Sequence, residues 1–296
     1  MRRRLVSGRV AAALALAPAA LLLGVAFYGF LGWTAAISLT SSRLLPRADF
    51  VGAANYAAVM GDRRFVESFG NLLVFGVALV ATAALAGLAL AVVLDWLDRR
   101  GRRTGLAETV FLYPVAVSWL VTGLVWQWIL NPSLGLERSV RAWGIETFAF
   151  DHLVRPGTAL YALALAGAWH VAGMALAVFS AGLRGVDPDL WRAARVEGVG
   201  AHRVYLHVVL PMLGPHAMTV LLLLAFGVAR AFDLVVAMTG GGPGYATDMP
   251  ALYVYDHMFA RGHLAVGAAA AVVLTLAAAA IVVPYLSLAL TRRRPA

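Results

Sequence analysis

Two charged residues stand inside an otherwise apolar run, Arg230 and Asp233, three positions apart within residues 212–238. Ionisable groups in hydrocarbon are expensive, so they mark a solute path, a proton relay or a self-neutralising pair. At i,i+3 spacing the two share a helix face. Two readings follow. They neutralise each other near the outer end of a span, with the Arg230 stem snorkelling, or they hydrogen-bond the hydroxyls of a passing solute. Trp169 and His170 interrupt a second apolar run, and Gln127 a third. Here a histidine packs or bridges helices, or else it lines a path. An indole at Trp169 could stack on a pyranose face. Bond-making chemistry finds no residues to carry it, so no catalytic set is expected. His202, His207, His216, His257 and His263 lack metal-ligand spacing, no carboxylates sit at catalytic spacing, and there is no cysteine. Gly240–Gly244 is not followed by the Lys-Ser/Thr of a phosphate-cradling loop.

The surroundings of these residues are hydrophobic. Of 296 residues, 61% are hydrophobic and 13% charged, with a mean hydropathy of +0.81. A soluble domain carries about a quarter charged residues, so the shortfall points to a surface in lipid. The net charge of +9 fits a nucleic-acid binder in size, but the arginines lie scattered between apolar runs and form no stripe. An all-α polytopic membrane protein is expected. A span needs about 20 apolar residues, and six candidates appear: about 10–31, 70–97, 109–130, 158–183, 212–238 and 264–290. The first follows Met1-Arg-Arg-Arg and could be a secretory signal, but its apolar run exceeds the usual h-region of roughly 7–15 residues, and an uncleaved helix is expected. Trp33, Trp96, Tyr113, Trp126 and Trp128 fall near span ends as interfacial anchors. With both termini cytoplasmic, the inside segments 1–9, 98–107, 184–211 and 291–296 hold 15 Arg, and the longer outside segments hold 8. The positive-inside rule therefore favours that orientation.

The loop over 185–211 is the most informative stretch. Asp187 suits an N-cap and Pro188 the first helical position. Leu190, Ala193, Ala194 and Val196 form a weak apolar face, and Gly198 and Gly200 end the helix. A second short helix carries Val204, Tyr205, Val208 and Val209 on one side, and Pro211 opens the fifth span. The local pattern gives a helix–turn–helix on the membrane surface. By itself it leaves open whether the loop merely connects two spans.

The spacing within the loop resembles that of the cytoplasmic loop of ABC importer permeases: Glu-Ala-Ala, three residues, Gly, nine residues, Ile, one residue, Leu-Pro. Here Ala193-Ala194 precede Gly198, Val208 takes the Ile position and Leu210-Pro211 close the pattern. Arg192 stands in the place of the Glu. The pairing role of that Glu therefore does not carry over to position 192, and Glu197 is the candidate substitute. The resemblance implies the type I importer permease fold and a coupling helix that docks on an ATPase subunit. Thr239-Gly-Gly-Gly-Pro243 is similar to a segment of carbohydrate-type permeases, as are Leu252–Tyr255, Phe259, Gly267–Ala270, Val51–Tyr56 and Asn131-Pro132. Stretches 126–137, 181–187 and 232–235 look like permeases of glucose or glucose/mannose importers. By likeness to maltose-type permeases, the sugar path maps to Leu224, Gly227, Val228 and Ala231, which are small or apolar.

The resemblance implies these partners: a second permease, two ATP-binding subunits, an extracytoplasmic sugar-binding protein and membrane lipid, with no nucleic acid. ATP and Mg would be held by the partner ATPases and no cofactor by this chain, which lacks a Walker motif and would not be an enzyme. The implied setting is the inner (cytoplasmic) membrane and the implied solute a sugar, with glycerol phosphate or another small polar solute as the alternative. An ion-coupled secondary transporter is the alternative of another class. It would need acidic or Asn-rich spans, and Asp95 and Asp233 near span ends are the only acids available.

Overall fold

The computed structural model describes the backbone of residues 8–291 and the side chains of 12–280. Arg2–Arg4 and Arg292–Arg294, on which the orientation argument partly rests, lie outside the described residues. So do the side chains over 281–290 of the sixth span. The chain is helical, with one isolated bridge, Thr40–Phe50, as the extended pairing among the described residues.

In chain order the helices are α1 (Gly8–Ser38), α2 (Ala54–Gly61), α3 (Arg63–Asp98), α4 (Gly105–Leu112), α5 (Trp119–Ile129), α6 (Leu136–Ala142), α7 (Pro156–Arg184), α8 (Pro188–Val196), α9 (Ala201–Val204), α10 (Leu210–Met212), α11 (Gly214–Ala229), α12 (Phe232–Met238), α13 (Pro250–Tyr255) and α14 (Leu264–Thr291). A 3-10 turn, Tyr113–Ala116, follows α4, and π-type turns Tyr205–Val209 and Asp256–Ala260 follow α9 and α13. Three helices are long and apolar enough to cross a bilayer alone: α1 from Ala12, α3 and α7. The described apolar part of α14, Leu264–Ala280, falls on the sixth expected span.

The third and fifth spans differ from the continuous helices expected over 109–130 and 212–238. The third bends by 102° between Gly105–Ala116 and Trp119–Ile129. Pro114 sits in the 3-10 turn, Val117 is extended, and Ser118 restarts the helix as an N-cap that accepts a hydrogen bond from the Val121 N–H at 3.2 Å. The fifth bends by 67° at Leu213, just before Pro215 in the first turn of α11. It breaks again at Arg230–Ala231. A run of apolar residues fixes how much chain lies in lipid but carries no signal for where a proline or a cap interrupts it. The second span is longer than expected. The 36 residues of α3 extend about 54 Å against a hydrocarbon core of ~30 Å, so its ends reach past the membrane.

The chain divides into two compact units, residues 67–252 and the combination of 1–66 with 253–296. In the smaller unit α14 packs on α1 and α2. The Asn55 amide donates to the Ser38 and Thr40 carbonyls at 2.8 Å each, pinning the turn after α1. Tyr253 donates to Asp62 at 2.8 Å, and Asp256 is shared by Arg64 and Arg261. Arg64, and then Arg261, hold the Asp256 carboxyl below its ordinary range against the opposing push of burial. Most of α1 stays exposed, including Leu21, Leu22 and Phe30, as suits a surface against lipid.

In the larger unit α7 is the central helix, contacting α4, α5, α11 and α12. Fully buried Phe75 and Leu79 of α3, Leu163 and Leu176 of α7, Leu224 of α11 and Leu234 of α12 build its core. Small residues allow the helices to approach closely, as is usual in membranes. A Cβ on Gly87 of α3 would lie 2.5 Å from Ala175 Cβ, and one on Gly123 of α5 would lie 2.6 Å from Ala237 Cβ.

Candidate functional site

The loop after α7 begins as its residue types require. The Asp187 carboxylate accepts the Asp189 N–H at 2.8 Å, and Pro188 opens α8. The helix ends at Glu197, and Gly198 reverses the chain at φ +71°, a left-handed conformation that costs any residue with a Cβ about 1–2 kcal/mol. The returning chain, α9 and the turn Tyr205–Val209, lies alongside α8. An open groove of about 420 Å³ forms between them, walled by Leu190, Ala193, Ala194, Val199, Val204 and Val208, with Glu197, Arg203 and His207 among its polar residues.

The expected loop residues are therefore distributed as follows. Ala193 is exposed, Ala194 half-buried, and both wall the groove; Glu197 and Gly198 are exposed at the tip. Arg192 is exposed and pairs with Asp189 at 2.6 Å within one turn of α8. Leu210 is half-buried and Pro211 exposed where α10 begins. Val196 does not join the apolar face expected of it, being 89% exposed. Buried Trp191 packs inward from α8 instead.

Trp191 belongs to a closed ring of four side chains. Asp95 Oδ2, near the end of α3, accepts the Tyr205 hydroxyl at 2.5 Å and the Arg99 Nε–H at 2.7 Å. The Arg99 guanidinium lies 4.0 Å from the Trp191 ring centre, and Trp191 meets Tyr205 edge-on at 5.0 Å. Burial, and after it the bonded Asp95 carboxylate, push the Tyr205 hydroxyl well above its ordinary pKa, so it is a neutral donor. A hydrogen bond to a charged group contributes about 1.5–3 kcal/mol, and a cation–π contact about 0.5–2 kcal/mol. Sequence reasoning missed this ring. The available signal was an acid followed four residues later by a base at a span end, beside a loop holding one Trp and one Tyr. Residue order alone does not pair positions 110 residues apart, as Asp95 and Tyr205 are.

The residues expected along a solute path fall into two groups. Leu224, Gly227 and Ala231 are buried, with Gly227 against Val171 and Trp119, and Val228 is half-buried. His170 is buried, its Nδ1 2.9 Å from the Thr122 hydroxyl and its ring 4.2 Å from Trp119, so it bridges α7 to α5. Half-buried Gln127 lies on α5, and Trp169, 43% exposed, meets Trp126 edge-on at 5.9 Å. Arg230 and Asp233 flank the break between α11 and α12, and both are exposed. No ion pair among the described residues joins them, so the self-neutralising arrangement does not form.

The glycine-rich stretch after α12 is tied down. Thr247 Oγ1 donates to the Gly242 carbonyl at 2.7 Å and lies 2.8 Å from Thr239 Oγ1. The Asn71 amide donates to the Tyr245 and Asp248 carbonyls at 3.1 and 3.0 Å. Thr247 and Asp248 are almost fully buried.

Long apolar helices, two of the spans bent, and a helix–turn–helix held to the end of a long span are the features of an integral-membrane protein. Residues 100–294 match the family of binding-protein-dependent transport system inner membrane components, and the chain belongs to that family. It is 32% identical to a probable ABC transporter permease protein of Pyrococcus horikoshii over 92% of each chain. It is 31% identical to a xylose/arabinose import permease of Haloferax volcanii, over 90% of this chain and 83% of the other. A sn-glycerol-3-phosphate transport system permease of Yersinia enterocolitica is 30% identical over 77% of this chain and 76% of its own. The fold is that of a type I importer permease. A chain of a bacterial ABC transporter involved in the import of the acidic polysaccharide alginate superposes with a TM-score of 0.76 at 18% identity, covering 96% of this chain and 95% of that one. Membership of this family displaces the ion-coupled alternative.

Proposed function

We propose that this chain is the permease subunit of an inner-membrane ABC importer for a neutral sugar, glucose- or mannose-like, and that residues 185–211 form its ATPase-coupling loop. The single observation that carries the coupling role is the open apolar groove between α8 and the returning chain. It is bounded by the patterned residues Ala193, Ala194 and Glu197 and turned by Gly198. No described residue fills the groove, and a partner surface of apolar character fits it. The chain assembles with a second permease, two ATPases that hold ATP and Mg, and an extracytoplasmic sugar-binding protein. Both termini and the loop face the cytoplasm. Closure of the ATPases on ATP moves α8, and the membrane helices alternate their opening. Arg192, Ala193, Ala194, Glu197, Gly198, Leu210 and Pro211 form the coupling set.

The relatives support a sugar: besides the xylose/arabinose permease, a glucose import system permease of Saccharolobus solfataricus is 28% identical over 91% of this chain. One observation favours a second reading, glycerol phosphate. Arg230 is exposed at the break in the fifth span and has no ion-pair partner among the described residues, and an anionic solute would use its guanidinium as a counter-charge. Calorimetry on the partner binding protein separates the two. Tight binding of D-glucose or D-mannose supports the first, whereas binding of sn-glycerol-3-phosphate with no response to either sugar replaces it with the second.

A further inference from the structure

We propose that the ring of Asp95, Arg99, Trp191 and Tyr205 is a transmission latch that makes α3 move with the coupling loop. The inference rests on the coupling reading of residues 185–211 and adds the path by which the loop's motion enters the membrane. Three observations carry it. Leu190 and Ala194 of α8 pack, partly buried, against the core, and Trp191 is the one buried residue of the helix. That side chain is held by ring contacts, because its indole Nε1–H is buried with no acceptor among the described residues. Both ring contacts, to Arg99 and Tyr205, lead to Asp95. The two limbs of the loop, α8 through Trp191 and the returning chain through Tyr205, thus meet on one carboxylate oxygen of α3.

The other end of the connection is suited to carry motion. α3 is an unbroken helix of 36 residues, whereas the third span is bent midway and the fifth at its entrance. A continuous helix transmits a displacement of one end along its whole length, while a bent pair absorbs it at the break. The Gly87 contact with Ala175 then places α3 directly on α7, the centre of the larger unit. Asp95, Arg99, Trp191 and Tyr205 are positioning residues in this scheme: none touches the solute, and the groove for the partner is lined by other residues of the loop.

The test uses the complete importer in lipid nanodiscs, with Mg, ATP and vanadate as the trigger. The chain has no cysteine, so spin labels can be placed singly at Val196→Cys in the loop and Val77→Cys on α3, both exposed. With the ring intact, trapping changes the spectra of both labels. In the near-isosteric variants Tyr205→Phe and Asp95→Asn, resting spectra stay as they were and the Val196 label still responds. The Val77 response falls at least about fivefold, within the usual range for a coupling free energy, and Asp95→Glu restores it. A Val77 response of undiminished size in both variants overturns the latch and leaves the coupling loop standing. No response of the Val196 label with the ring intact overturns the coupling reading, and the latch with it.

Discussion

The loop over 187–211 and the glycine-rich stretch over 239–252 both belong to the larger unit, and both carry strong sequence patterns, yet they are secured in opposite ways. The glycine-rich stretch is held by side-chain hydrogen bonds along its length, most of them partly buried. Thr239, Thr247 and Asn71 satisfy its backbone, and Thr247 and Asp248 are sealed from solvent. The loop is held at Trp191, Val204, Tyr205 and Val209, while most of its other side chains are exposed around an open groove. A segment fixed at many points resists displacement, and one fixed at few points moves as a body when a partner pushes on it. A patterned sequence therefore marks a constraint without saying whether the constraint serves stiffness or motion. The hydrogen-bond inventory separates the two.

Four changes break or sharpen that contrast. The largest effect is expected from Gly198→Leu. There is open space around the position, but the left-handed backbone is not available to leucine without strain. A strain of about 1–2 kcal/mol at the loop's tip should lower uptake by roughly tenfold or more while membrane insertion and assembly persist. Full uptake by a well-assembled variant contradicts the coupling role. Next comes Asn71→Ala, which removes both hydrogen bonds from Asn71 to the glycine-rich stretch and should cost about 1–3 kcal/mol. Hydrogen exchange should accelerate over 239–252 and stay unchanged over 187–211; equal acceleration in both would erase the contrast.

The third effect is a pH response of the loop alone. The folded-state pKa of Tyr205 lies above its unfolded value of about 10. Its contribution is therefore complete below that pH and is lost as pH rises through the folded value. Limited proteolysis of the loop should be constant from pH 6 to 9 and increase only in strong alkali, and Tyr205→Phe should remove the increase. The smallest effect is expected from Arg192→Ala. Arg192 and Asp189 form an exposed i,i+3 pair, worth a few tenths of a kcal/mol, so the melting temperature of the solubilised chain should not change measurably. Any larger effect on retention of the ATPases would place Arg192 in the docking contact.

Much of this was legible from residue order alone. Apolar runs located the spans because hydrocarbon imposes their length, and Asp187-Pro188 and Gly198 bounded α8 through capping and backbone preference. Interruptions were not legible. Pro114, Ser118 and Pro215 break spans that hydropathy reads as continuous, since a window of apolar residues averages over one proline or hydroxyl. The fate of Arg230 and Asp233 was also hidden, because i,i+3 spacing makes a pair only when the helix continues, and here it breaks at Arg230. The Asp95–Tyr205 contact was out of reach for a different reason: it joins segments 110 residues apart, and only packing of the intervening spans brings them together.

The central claim is that this chain imports its solute through motion delivered to residues 185–211 by partner ATPases. The most direct measurement is solute uptake into proteoliposomes that hold the complete importer, using the sugar its binding protein retains. The account predicts uptake that requires both the binding protein outside and Mg-ATP at the loop face, and that vanadate stops. Uptake that proceeds without ATP, driven by an imposed proton or sodium gradient, would contradict it.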